Sequence, residues 1–237
     1  MQDIVISVHI PKTGGTSFRE ILGDTFGQAV FEDYDWLERP AVLSGTTLDD
    51  ADEGDIRAAL KGVRCIHGHF PAAKYDRLRR IDGIRPIFIT WLRDPVERAI
   101  SAYYFLRQNP SDLPIEQMRP WERDAKTMSI GEFLTSTKFG VNRQTAQLRK
   151  VAIEDFDFVG CTEDYDTSIT IFSHLFRAGK PPRTVPVKRK NPDRKGARYE
   201  IAPDIRKSLL AANAHDLLLH RYAQGWVAGA RRMLGPL

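Results

Sequence analysis

The stretch Ile4-Val-Ile-Ser-Val-His-Ile-Pro-Lys-Thr-Gly-Gly-Thr-Ser17 decides how the rest of the chain is read. Its first seven residues, Ile4 to Ile10, are apolar, rich in β-branched side chains and stopped by Pro11, the pattern of a strand covered on both faces. Gly14 and Gly15 then turn the chain. A helix is expected from about Thr16, with Phe18, Ile21, Leu22 and Phe26 along one face and Gly27 placed to end it. Strand, glycine turn and helix start make an anion cradle, because backbone N–H groups point outward, the helix dipole favours negative charge and Lys12 adds a full charge. The stretch is not G-x-x-x-x-G-K-[ST], since Lys12 precedes the glycines. A plainer reading, in which the glycines only turn the chain while Ser17 and Glu20 cap the helix, leaves Lys12 without a role.

Outward from this unit, Gly62 to Phe70, Arg85 to Leu92 and Phe156 to Cys161 read as three further strands. Asp94 is placed to cap a helix that starts at Pro95, with Glu97 closing a capping box. Gln28 to Asp55 reads as irregular, and the proline-bearing segment from Asn109 to Arg123 as a loop or lid. One last helix is expected from Pro203 to Met233. Strands alternating with helices predict a single domain over residues 1–237, a three-layer α/β/α fold with a mainly parallel sheet. Ligands of such sheets sit at the carboxyl ends of the strands, where Lys12, His67/His69 and Arg93 would gather.

Composition narrows the partners. The 237 residues carry a net charge of +4 and a pI near 9.1, a small surplus for a nucleic-acid binder but suited to an enzyme that holds an anion, so no nucleic acid is expected. Basic residues crowd between Arg177 and Arg198. Cys65 and Cys161 lie in apolar runs and read as reduced core residues. No run of about 18 apolar residues predicts a membrane span. No signal peptide is visible before the first strand, so a cytoplasmic protein is expected.

His67-Gly-His69 places two imidazoles at i and i+2, on one face of a strand. A neutral histidine there can take a proton from a hydroxyl. The pair could also bind a metal, but no third ligand stands at a recognisable spacing, and no metal is expected.

Pro11-Lys-Thr-Gly-Gly-Thr-Ser17 resembles the 5′-phosphosulfate loop of sulfotransferases that use 3′-phosphoadenosine-5′-phosphosulfate. The likeness is to the carbohydrate branch, which includes heparan sulfate 2-O and 6-O enzymes and bacterial members. It implies a P-loop nucleotide-binding type of fold, with Lys12 at the bridging oxygen and sulfonate and Thr13, Gly14, Gly15, Thr16 and Ser17 around the 5′-phosphosulfate. Leu92-Arg-Asp-Pro-Val-Glu-Arg-Ala-Ile-Ser101 resembles the segment that holds the 3′-phosphate, implying that role for Arg93 and Ser101. His-Gly-His resembles the catalytic-base segment, which implies His69 as base with His67 beside it. The basic loop Lys188 to Lys195, with Lys190 and Lys195, stands where the family covers its nucleotide. Asn142-Arg-Gln-Thr145, Val159-Gly-Cys-Thr-Glu163 and Asp216 to Ala223 are weaker echoes, whose residues could equally serve in core or capping. The implied partner is a hydroxyl-bearing acceptor, a saccharide or glycoconjugate. Two other readings stay open: a kinase-like phosphotransferase, which would need a Mg²⁺ carboxylate for which only Asp94 is near, and a non-catalytic nucleotide or sulfated-glycan binder, which would have no use for His69.

Overall fold

The first apolar run forms strand β1 (Gln2–Val8), two residues earlier than the pattern suggested, and Ile10 is buried beyond its end. The computed structural model describes residues 1–108, 113–137, 139–183, 199 and 201–235. β3 (Cys65–Gly68), β4 (Ile84–Leu92) and β5 (Phe158–Cys161) occupy the other three expected positions, although β3 is shorter than the apolar pattern and leaves His69 just past its end. One strand was not legible: β2 (Val30–Asp33) falls in the stretch read as irregular. Four residues with two acids among them give no alternation long enough to recognise, and only pairing with β3 makes them a strand.

The strands run in the order β2-β3-β1-β4-β5, and every pairing is parallel. Five consecutive residues of β1, Ile4 to Val8, are buried, so helices cover both faces of the sheet. α1 (Gly15–Phe26) contributes Phe18, Ile21 and Leu22 to the main core, α7 (Tyr165–Phe176) contributes Ile169 and Phe172, and α9 (Ala214–Leu234) contributes Val227. The short helices α2 (Glu53–Ala59) and α6 (Arg143–Leu148) add Ile56 and Leu148. A second apolar cluster joins α3 (Pro95–Gln108), α4 (Pro120–Thr127), α5 (Ile130–Ser136) and α8 (Pro203–Ala212) through Ile100, Ala125, Phe133 and Leu209. Cys65 and Cys161 are buried and unbridged. Among the described residues no helix is long and apolar enough to cross a membrane.

Three local expectations are corrected. Asp94 does cap α3, accepting the Val96 and Glu97 N–H groups at 2.9 and 3.0 Å, but Glu97 does not reach back to it. Glu97 instead accepts the Tyr199 N–H at 3.1 Å and pairs with Arg206, while the Asp94 N–H goes to Glu163 Oε1, so distant partners replace the local box. Within the segment read as a loop, Pro120 starts a helix, using the missing donor that a first turn does not need. The expected terminal helix is two, α8 and α9, divided at fully buried Asn213. Its Oδ1 accepts the Asn142 N–H at 2.8 Å, a tertiary bond that no helical pattern foretells.

Candidate active site

The site grows from the carboxyl ends of the strands. Beyond β1 the chain takes left-handed conformations at Lys12 (φ 72°) and Gly14 (φ 93°), and Gly14 caps α1. The two glycines answer different demands. Gly14 supplies its φ, whereas Gly15 supplies room, since a Cβ there would overlap the ring of His9. Thr13 is fully buried and donates to the Ile10 carbonyl at 2.8 Å, while Thr16 is exposed and Ser17 half-buried in the first turn of α1. Thr162, just past β5, donates to the Thr13 carbonyl at 2.7 Å and approaches the Leu92 carbonyl at 3.1 Å, tying three strand ends together.

Lys12 and Arg93 meet. Arg93 Nη1 donates to the Lys12 carbonyl at 3.0 Å, so the two expected anion positions adjoin. The Lys12 ammonium lies 4.0 Å from the centre of the Phe105 ring, and burial together with Arg93 pulls its pKa down to about 8. An anion arriving there would raise it again. Gln144 clasps the backbone of Arg93, accepting its N–H at 2.9 Å and donating to its carbonyl at 3.0 Å. Buried Asp216 in turn accepts the Gln144 and Thr145 N–H groups at 3.0 and 2.7 Å. The weak echoes around 142–145 and 216 therefore act by positioning Arg93.

Positive charge is concentrated behind this pair. Arg98 is fully buried and its Nη2 donates to the Phe139 carbonyl at 2.7 Å, while Nε and Nη1 make no hydrogen bond among the described residues. Burial, opposed by Asp216 and reinforced by Arg143 and Arg93, lowers its pKa to about 10. Ser101 is buried on α3, about 10 Å along the helix from its cap. Lys190 and Lys195 lie outside the described residues.

Beside the cradle stand three histidines, not two. His9 stacks on His67 with ring centres 5.0 Å apart and lies 4.4 Å from His69. His67 Nδ1 bonds Ser7 Oγ at 2.9 Å and His9 Nδ1 bonds Tyr34 Oη at 2.8 Å. His67 Nε2 and His69 Nε2 are buried with no partner among the described residues. Burial, with Arg143 close by, pushes the pKa of His69 down to about 4; burial and His69 push that of His67 to about 3; His9 is also lowered, by burial and the other two rings. All three are therefore neutral at ordinary pH. His9 was readable in principle: Ser7 pairs with His67, and two more residues along parallel strands set position 9 beside position 69. Tyr34 and exposed Trp36, which stack on each other near His69, gave no signal because β2 was not seen.

No family model matches the chain. Heparan sulfate 2-O-sulfotransferase 1 of Cricetulus griseus is 30% identical to it over 120 residues, covering 45% of this chain and 30% of that protein. The enzyme of the same name from Mus musculus is 29% identical over 117 residues, covering 44% and 29%. The matched stretch thus spans less than a third of these curated relatives. A crystal structure of a sulfotransferase from Alicyclobacillus acidocaldarius aligns over 94% of this chain and 95% of that one, with a TM-score of 0.46 and 17% identity.

Proposed function

We propose that this chain is a sulfotransferase that moves the sulfonyl group of 3′-phosphoadenosine-5′-phosphosulfate to a hydroxyl of a saccharide. The observation that carries the reading is the contact sequence Gly15–His9–His69, which joins the anion cradle to an imidazole whose Nε2 has no partner among the described residues. Partial homology to heparan sulfate 2-O-sulfotransferase 1 supports both the reaction and the saccharide class.

In this reading the 5′-phosphosulfate lies against the start of α1 and Lys12, and the 3′-phosphate against Arg93 and Ser101. The donor fits the residues present: a polyanion would offset the desolvation of the Lys12 ammonium and suit the buried guanidinium N–H groups of Arg98. His69 Nε2 accepts the hydroxyl proton as the oxygen attacks sulfur. Lys12 stabilises the negative charge that forms on the departing phosphate oxygen as the S–O bond breaks. His9 and His67 hold the His69 ring in place. The kinase-like alternative is disfavoured because Asp94, its only nearby carboxylate in the sequence reading, is spent on capping α3.

Thermal melting with nucleotides tests this. 3′-Phosphoadenosine 5′-phosphate should raise Tm clearly more than adenosine 5′-phosphate or ATP with Mg²⁺, and Arg93→Ala should erase that preference. Equal shifts for all three, or the largest for ATP, would reject the reading. Acceptors can then be screened with radiolabelled sulfonyl donor.

A further inference from the structure

At the end of β5, three side chains distant in sequence converge. Glu163 Oε2 lies 3.4 Å from Cys161 Sγ and 3.0 Å from His220 Nε2, and Sγ and Nε2 are 3.9 Å apart. We infer that Cys161, Glu163 and His220 form a binding site for a single thiophilic divalent cation, of which zinc is the natural occupant.

The argument is geometric and chemical. Zinc bonds of about 2.0–2.3 Å in a tetrahedron set donor atoms roughly 3.3–3.5 Å apart. Of the three separations one lies in that range, one is shorter and one longer, so closing on a cation takes shifts of only about 0.4 Å. Thiolate, imidazole and carboxylate are the donors zinc takes most readily. A purely hydrogen-bonded trio accounts for the two contacts to Glu163, since thiol and imidazole each donate to its oxygen. The third separation, thiol to imidazole, completes a triangle of donor atoms small enough for one cation to bridge. Cys161 and His220 are buried, while the Glu163 side chain is 37% exposed, so the trio lies at the boundary between core and solvent. The carboxylate is also oriented from behind, because its other oxygen accepts the Asp94 N–H at 3.1 Å. Among the described residues no other three such groups come as close together. On binding, the thiol releases its proton to solvent, and the cation links β5, α9 and, through Glu163, the start of α3.

The test needs no knowledge of the reaction. Whole protein stripped with EDTA is titrated with Co²⁺. The expected result is binding of one equivalent, with visible absorption typical of a tetrahedral site and a near-ultraviolet thiolate-to-cobalt band, both displaced by Zn²⁺. Cys161→Ser should remove the thiolate band and weaken binding at least about tenfold, while Cys65→Ser, altering the other buried thiol, keeps both. Should Cys161→Ser fail to fold, melting carries the test: Zn²⁺ raises the Tm of the wild type but not of His220→Gln. A wild type without the thiolate band at one equivalent overturns the proposal. So does a Zn²⁺-dependent rise in Tm that survives His220→Gln, which places the cation elsewhere.

Discussion

Two polar clusters meet at the end of β2, and they are built on opposite plans. In one, fully buried Asp33 receives Arg39 at 2.6 Å, Lys74 at 2.7 Å and the Tyr75 hydroxyl at 3.0 Å, and Lys74 donates again to the Leu43 carbonyl. In the other, His9, His67 and His69 pack together while two ring nitrogens have no partner among the described residues. The clusters are joined directly, since the His69 N–H donates to the Asp33 carbonyl at 3.2 Å. A buried polar group without a partner costs stability unless a ligand supplies one, whereas a fully paired network fixes the local backbone. The first cluster is framework for the second.

The sharpest separation should come from one substitution in each. His69→Ala is expected to slow sulfonyl transfer by about 10²–10⁴-fold while leaving Tm and product-nucleotide affinity near wild type. If transfer stays within about tenfold of wild type, the base is another group. Asp33→Ala leaves Lys74 buried without its partner and should cost about 3–5 kcal/mol in denaturant unfolding. An unfolding midpoint close to wild type would show that Asp33 does not anchor the strand end.

Gln144→Leu probes a residue between the two plans, paired like Asp33 yet holding Arg93. It strands a buried N–H and a carbonyl, so a loss of about 1–3 kcal/mol in stability is expected, together with weaker binding of 3′-phosphoadenosine 5′-phosphate. A purely structural role would lower stability and leave the affinity of the folded protein intact.

The smallest effect is a pH dependence. Because the folded pKa values of His67 and His69 are depressed to about 3 and about 4, the unfolded chain binds more protons than the native one below the ordinary histidine pKa of about 6.5. Stability contributed by the neutral cluster is thus fully present above about pH 6.5 and declines as pH falls toward 4. kcat/KM should stay level between pH 8 and 6 as far as the base is concerned, where an ordinary histidine would already be losing activity. A histidine-like fall near pH 6.5 that His69→Ala abolishes would show that the ring is not desolvated.

The sequence made the carboxyl edge of the sheet more legible than its supports. Lys12, His69 and Arg93 were placed at strand ends because apolar runs announce buried strands and the residues after them follow by counting. β2 was missed because it is four residues long and its strand character comes from β3. His9 carries no local signal, since Tyr34, His67 and His69 lie far along the chain and only strand pairing brings them to it. Gln144 and Asp216 were weak echoes for the same reason: their task is to hold another segment's backbone, which leaves no local pattern. Glu97 departs from the capping-box pattern because Tyr199 and Arg206 take its carboxylate.

Lys12 keeps a left-handed backbone that glycine or asparagine would adopt with less strain, a difference of order 1 kcal/mol. A library randomised at this position and sorted only for heat resistance should therefore enrich glycine and asparagine. The same library sorted for nucleotide binding should return lysine. Ranking by thermal tolerance would select against the charge at the centre of the cradle, so variants of this protein improved by stability alone are expected to drift toward a well-folded scaffold with an empty cradle.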